Sequence, residues 1–395
     1  MSFVLALIVE DMIMLMCHRI IITLKTKVEN DKALRKTLEA CISKANWTPP
    51  GWKHSISNLD DFYQYLNELI ISTPVESSFD NLFHGIFYII SQKGNKLQKS
   101  KKYLEFQEWL VLFIEQYGCY MNTPGSANNL YSFVNDKTFQ IQDFQGPPGG
   151  FNSFNSFFSR RIKPGKRPIG TTTYAYKPPK EGVPILPNPT EDLDLIHKNM
   201  CDDHIITVPA DSVYKGWWNI DKHAYINVSK GNKYSIDELL KDSQYADRFK
   251  GGIFTHSYLT VFTYHRYHVP VRGKILEAKV TSGKVYADVI KEKNGDLSAK
   301  DGTGYQFRQD RGLIVIDSPV GLVALLPIGM DFISSCNISV DAGDYVNKGD
   351  EFGYFLFGGS DMIMLFERND IDIKLHKKNM LYKLGQVFAK KTKNH

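Results

Sequence analysis

The hydrophobic positions of this 395-residue chain change their period once, about halfway along. In the first third they recur at three and four. Leu59, Phe62, Leu66, Leu69 and Ile70 form one stripe, and Tyr103, Phe106, Leu110, Phe113 and Tyr117 form a second. That spacing predicts two amphipathic helices with their stripes in a core. Ser57, with Asp60 three residues on, predicts a capped helix start. The turn signals TPGS (Thr123–Ser126) and GPPGG (Gly146–Gly150) end the helical pattern. From about Ile205 the apolar runs are short and divided by Gly, Asp and Asn: IITVPAD, GKILEAKV, GLIVID, GLVALLPI, ISVDAGDYV and EFGYFLF. These predict short strands and tight turns. The expected fold is α+β, with a helical N-terminal region (1–125), a connecting segment (126–204) and a β-rich domain (205–395). No internal repeat is present.

Three stretches fit neither period. The N-terminus, MSFVLALIVEDMIMLMCHRIIITL, is apolar but broken by Glu10, Asp11, His18 and Arg19. A spanning helix needs about 20 nearly uncharged residues. A secretory signal carries its positive charge first and a small-residue cleavage site last. Residues 1–25 therefore read as a core or docking helix, with a membrane-surface segment as the alternative. FNSFNSFFSRRIKPGKRPI, Phe151 to Ile169, mixes aromatics with Arg160, Arg161, Lys163, Lys166 and Arg167. It reads as a solvated basic face, or as a contact for acidic lipid headgroups. The proline-rich KPPKEGVPILPNPTED is an extended linker or a long surface loop.

Composition narrows the class. At 43% hydrophobic and 23% charged the chain is ordinary globular material, and 13% aromatic is enough to fill a large core. The net charge of +5 is mild, and no basic stripe with regular aromatic interleaving occurs, so nucleic acid is not an expected partner. Cys17, Cys41, Cys119, Cys201 and Cys336 are widely spaced, without CxxC. They point to buried free thiols in a reducing compartment. The expected location is cytoplasmic, with peripheral membrane attachment as a variant.

Candidate chemistry gathers in the second half. LFGGSDMIML puts Gly358, Gly359 and Ser360 inside what otherwise reads as strand. Glycine there marks a bulge, or a place where another group must approach the backbone. A hydrolase elbow, G-x-S-x-G, fails at Met362 and lacks the βαβ surroundings. TYHRYHVPVRGKI carries His265 and His268. With no third ligand at a suitable spacing no metal is expected, and acid–base work is the reading. Asp211, in TVPADSVY, is either a turn aspartate or the carboxylate of an Asp–His–Ser set.

Taken together, FNSFFSRRIKPGKRPI, VPADSVY, YHRYHVPVRGKI, PIGM, VDAGDYVNKGDEFGYF and FGGSD, in that order, resemble the phosphatidylserine decarboxylase family of pyruvoyl enzymes. The helical first third and the ISSC run (Ile333–Cys336) look closest to the soluble branch that includes fungal L-tryptophan decarboxylase. The resemblance implies a zymogen. The Ser360 hydroxyl attacks the Gly359 carbonyl and forms an ester. β-Elimination then cuts between Gly359 and Ser360, and the dehydroalanine left at 360 hydrolyses to a pyruvoyl group. The β chain is 1–359 and the α chain 360–395. The implied catalytic residues are Asp211, His265, His268 and Ser360, with His268 and Asp211 serving cleavage and His265 serving decarboxylation. The pyruvoyl group is the implied cofactor. It forms a Schiff base with the substrate amine and draws off the electrons left when the carboxylate departs.

Departures from the family bear on substrate. Asp361 stands where lipid-acting members carry threonine, ISSC stands where they carry VGSI, and Ser212 follows Asp211 where glycine is usual. A carboxylate beside the nucleophile opposes an anionic headgroup. The expected substrate is a free aromatic, tryptophan-like L-amino acid; the alternative is phosphatidylserine, converted to phosphatidylethanolamine in phospholipid biosynthesis. The other expected partners are a membrane surface and, from the resemblance, a second copy of the chain in a homodimer. VDAGDYVNKGDEFG also resembles the hairpin of biotinyl and lipoyl carriers. Lys348 is displaced from the carrier position, however, and that reading leaves the serine, histidines and aspartate unexplained.

Overall fold

The computed structural model describes residues 3–75, 79–180, 182–187, 189–229, 232–299, 305–307, 309–329, 335–357, 360–375 and 377–392. The first third is helical, as its spacing predicts. Helix Phe3–Asn30 buries Cys17, Ile20, Ile21, Leu24 and Val28, and Trp109 of helix Leu104–Tyr120 donates its indole N–H to the Ile20 carbonyl at 2.8 Å. The outer face of the first helix leaves Met12, Leu15, Met16 and Ile22 exposed. Among the described residues no helix is long and apolar enough to cross a membrane. Helix Leu59–Leu69 starts one residue later than its cap signal suggests. Asn58 accepts from the Asp61 N–H at 2.9 Å, while the Asp61 carboxylate takes the Ser57 N–H at 2.9 Å and hydroxyl at 2.7 Å. Ser57 is thereby spent as a donor, and the cap passes to Asn58.

The β-rich part centres on an eight-stranded antiparallel sheet. Its order is Tyr345–Val346, Gly273–Thr281, Arg311–Ser318, Gly321–Gly329, Ser360–Phe366, Ile253–Leu259, Ser212–Asn219 and Met380–Tyr382. A three-stranded sheet, Cys336–Ile338, Glu351–Phe355 and Arg266–His268, lies beside it and carries one predicted histidine. Because side chains alternate along a strand, the two faces of the large sheet support two cores. Ile314, Ile316, Val323, Leu325, Met362 and Met364 join the core shared with the helical region. Leu313, Val315, Ala324, Leu326, Ile363 and Leu365 pack on the other face against Ile226, Ile236, Leu239 and Phe249.

The proline-rich stretch is a strapped surface loop. Its Lys180 carbonyl accepts the Thr138 hydroxyl at 2.8 Å, its Ile185 carbonyl accepts the Gln140 amide, and Lys180 bridges Val183. Lys348, the lysine weighed for a carrier hairpin, is held by the carbonyls of Asp202 at 2.8 Å and Asn199 at 3.1 Å. Burial lowers its ammonium to about 8, and a tethered amine of this kind cannot serve as a carrier arm. The cysteine expectation needs one correction. All five are free, and Cys17, Cys41 and Cys336 are buried, but Cys119 and Cys201 are exposed. Cys119 is on the outer side of helix Leu104–Tyr120, between the buried Tyr117 and Tyr120, and Cys201 ends helix Leu193–Cys201, which buries none of its residues.

Candidate active site

Ser360 opens strand Ser360–Phe366, whose seven residues are all buried. Its register pairs it with Gly329 on one side and Leu259 on the other, so the start of this strand is held from both flanks. Alternation turns Ser360, with Met362 and Met364, toward the larger core, and Asp361, with Ile363 and Leu365, toward the second. Gly359, the other half of the expected cleavage site, lies outside the described residues, as do Gly358 and the Ile333–Ser334 part of the ISSC run.

Ser360 is 0% exposed, and its Oγ lies 3.3 Å from Nδ1 of His265, itself 0% exposed. The imidazole is stacked on Phe158 at a centroid separation of 3.9 Å. Phe158 ends helix Phe154–Phe158, which starts at a capping box built by Ser153 and Ser156. Burial pushes His265 down from 6.5 to about 3, and the nearby Arg160 cation adds to the fall. The Val261 and Thr260 backbone opposes the shift. Nε2 has no hydrogen-bond partner among the described residues; a neutral ring with its proton there presents the Nδ1 lone pair to the Ser360 hydroxyl. The imidazole is therefore neutral over the physiological range, and its Nδ1 lone pair is free to take the hydroxyl proton as the oxygen attacks.

Arg160 corrects the picture of a solvated basic face. It is 2% exposed and wrapped in aromatic rings, with its guanidinium carbon 4.3 Å from the Phe144 centroid and 4.9 Å from that of Phe157. Burial pulls it down to about 9. Arg167 is also sequestered, whereas Arg161, Lys163 and Lys166 are exposed. The motif therefore divides between core and surface: aromatic rings enclose Arg160, and the Asp211 carboxylate holds Arg167.

Asp211 is 1% exposed and bound by the fork of Arg167. Arg167 Nε donates to Oδ1 at 2.9 Å and Nη2 donates to Oδ2 at 2.6 Å. The Leu384 N–H adds a third donor at 2.8 Å. Burial alone raises the carboxyl, but Arg167 and the Leu384 amide outweigh it and hold Asp211 below its usual value. His268 stands apart from Ser360. Its Nδ1 is 2.8 Å from the Gly349 carbonyl, and its Nε2 is 3.2 Å from the Tyr264 hydroxyl. Burial lowers this imidazole too. Among the described residues, then, the histidine brought to the serine is His265. The spacing of three explains this, since residues an odd number apart in extended chain face opposite ways. The relay expected from sequence, Asp211 to His268 to Ser360, is not what these contacts link. The backbone keeps its members close, with the His268 N–H donating to the Pro209 carbonyl at 2.8 Å.

On the other side of the strand is a pair that sequence reasoning missed in part. Asp361 is fully buried, and neither carboxylate oxygen has a hydrogen bond of good geometry among the described residues. Its neighbour is His256, whose Nε2 lies 3.0 Å from Oδ2. His256 occupies strand Ile253–Leu259, on the face that also carries Phe254. A lone imidazole on an apolar face was the available signal. Arg167 and Phe158 were missed as site residues for a different reason: their partners are more than forty positions away.

Comparison with known proteins places this architecture. Residues 154–390, more than half of the chain, match the family model described as phosphatidylserine decarboxylase. A phosphatidylserine decarboxylase proenzyme of Clostridium novyi is 30% identical over 273 residues, covering 68% of this chain and 80% of that protein. Decarboxylase iboD of Amanita muscaria is 26% identical over 302 residues, covering 66% and 77%. Phosphatidylserine decarboxylase proenzyme 2 of Oryza sativa is 29% identical over 262 residues, but this match spans only 36% of the rice protein. The motifs that align in order, the buried serine at the head of a central strand and the extent of the match lead to one conclusion: the chain belongs to the phosphatidylserine decarboxylase family, a family of decarboxylases.

Proposed function

We propose that the chain is a self-processing, pyruvoyl-dependent decarboxylase that removes the carboxylate of an α-amino acid. The observation that carries this reading is the Ser360 hydroxyl, buried 3.3 Å from a neutral imidazole at the head of a doubly paired strand. His265 takes the hydroxyl proton, and the oxygen attacks the Gly359 carbonyl. The ester that forms breaks by β-elimination, with loss of the Cα proton of residue 360 and departure of Gly359 as a carboxylate; the dehydroalanine left then takes up water and loses ammonia, which leaves the pyruvoyl group at position 360. The site fits such a group, because Gly329 and Leu259 keep the new terminus in register after the cut. Once formed, its carbonyl supplies the electron sink for loss of carbon dioxide. The protein's own part is to hold that terminus dry and fixed, with His265 beside it as a proton carrier. Arg167 keeps Asp211 ionised near both histidines, where its charge favours their protonated forms.

A free amino acid is the substrate this site favours. Asp361 buries a carboxylate one residue from the reacting carbon, and a phosphodiester brought near it meets like charge. Phosphatidylserine is the second reading. It is favoured by the names of most of the relatives, and by Met12, Leu15, Met16 and Ile22 on the outer face of the first helix, which suit a lipid surface. Intact mass tests processing: the expected product is a fragment Ser360–His395 with a blocked N-terminus, and a single uncut chain after prolonged incubation refutes the proposal. Carbon dioxide release from L-tryptophan, L-tyrosine, L-phenylalanine and L-serine, beside phosphatidylserine in mixed micelles, decides the substrate. Turnover of the lipid alone rejects the amino-acid reading.

A further inference from the structure

Ser360 and Asp361 look out on opposite faces of one strand, and the two faces differ in access. The serine face is sealed. His265, Phe154, Phe158 and Phe357 are all buried there, and the three phenylalanine rings meet edge to face or stacked. The aspartate face is open at one point, where the His256 side chain keeps 15% of its surface in solvent. Asp361 behind it is fully buried, with two carboxylate oxygens that lack a good hydrogen bond among the described residues. An ionised carboxylate can accept about four hydrogen bonds, and leaving them unmade in the interior is costly. The group that suits such a site is a cation rich in N–H donors.

We infer that His256 and Asp361 form the subsite that receives the substrate's ammonium group, with His256 taking one of its protons. This rests on the decarboxylase reading above. The charge of Asp361 Oδ2, 3.0 Å from Nε2 but not aligned for a good hydrogen bond, favours the imidazole proton on that nitrogen and leaves Nδ1 as the basic one. The Gln306 side-chain nitrogen lies 3.5 Å from the same Nε2, at the outer limit of a hydrogen bond. An ammonium cannot add to a carbonyl until it has lost a proton. The proton passes to Nδ1, the electron pair of the broken N–H bond stays on nitrogen as its lone pair, and Asp361 stabilises the imidazolium. Successive Cα atoms are about 3.8 Å apart, so the carboxylate lies within a residue of the carbon that the amine must reach. The division of labour follows from strand alternation: His265 serves cleavage on the sealed face, and His256 serves the incoming amine on the open one.

The test separates the two histidines by the charge of the amine. Purified full-length protein is allowed to process, and amines are trapped on the Ser360–His395 fragment with borohydride and followed by mass. The probes are tryptamine and phosphatidylethanolamine in mixed micelles, both ammonium ions at pH 7, and methoxyamine, which is neutral there. The comparison uses whichever ammonium probe the wild-type fragment captures. In His256→Gln the fragment should form to the wild-type extent, trapping of the ammonium probe should slow by about 10²–10⁴-fold, and methoxyamine should be trapped at the wild-type rate. Asp361→Asn should show the same pattern more weakly. Equal slowing of charged and neutral amines, or no slowing of either, overturns the assignment. A wild-type chain that never forms the fragment instead refutes the self-processing reading on which it rests.

Discussion

The buried neutral state of His265 makes a quantitative prediction. In the unfolded chain this histidine titrates near 6.5; in the fold it is held down to about 3, first by burial and then by Arg160. Between those values the unfolded chain binds a proton that the folded one refuses. Stability is therefore complete above the unfolded value and is lost as pH falls toward the folded one, with a slope of about 1.4 kcal/mol per pH unit. From pH 7 to pH 5 the loss assigned to His265 is about 2 kcal/mol. The measurement is urea denaturation in an uncleavable Ser360→Ala background, so that one covalent species is present throughout, with and without His265→Gln. The Ser360→Ala protein should lose about 2 kcal/mol more over that interval than the double variant. Parallel pH profiles would mean that His265 is charged, or solvated, in the fold, and would remove it as the base. The same state has a kinetic counterpart: processing of the wild-type chain should show no titration near 6.5 between pH 8 and pH 5.

His265→Ala should slow formation of the Ser360–His395 fragment by about 10²–10⁴-fold. His268→Ala, which removes a group bonded to Gly349 and Tyr264, should slow it much less; the reverse order on a time course of intact mass would return the base to His268. Arg167→Met leaves Asp211 with the Leu384 N–H alone and should cost about 3–5 kcal/mol in denaturation of the Ser360→Ala protein, as for other broken buried pairs. A loss within the range of roughly 0–1 kcal/mol found for exposed pairs contradicts the burial of this one. In native protein a maleimide should label Cys119 and Cys201, leaving Cys17, Cys41 and Cys336 for denaturant; labelling of all five in the native state would contradict the packing described.

Much of the architecture was legible because it depends on local periodicity. The stripes at Leu59–Ile70 and Tyr103–Tyr117 need only the helical repeat to define a buried face; both fall on helices, with Ile70 and Tyr103 at the caps, and all of their residues are buried except the half-buried Leu59. The short runs after Ile205 need only strand alternation and turn residues, and each lies in or beside a strand. Where local chemistry offered two side chains able to accept at the cap, Ser57 and Asn58, the sequence narrowed the cap to within one residue, and the reach of the Asp61 side chain decided it.

The chain by itself determined that Ser360 sits behind two glycines within an apolar strand, and that Asp211, His265 and His268 accompany it. Motif order alone carries that information. Which imidazole touches the serine, and which cation holds the aspartate, were decided only by tertiary structure. His265 reaches Ser360 across 95 positions, Arg167 reaches Asp211 across 44, and Arg160 becomes a core residue only because Phe144 and Phe157 enclose it. Periodicity assigns a residue to a face of its own element but says nothing about which other face will oppose it. That pairing is set by how sheet and helices pack, and the same packing draws Arg160 and Arg167 of a surface-looking basic run inside and makes a lone His256 the partner of Asp361.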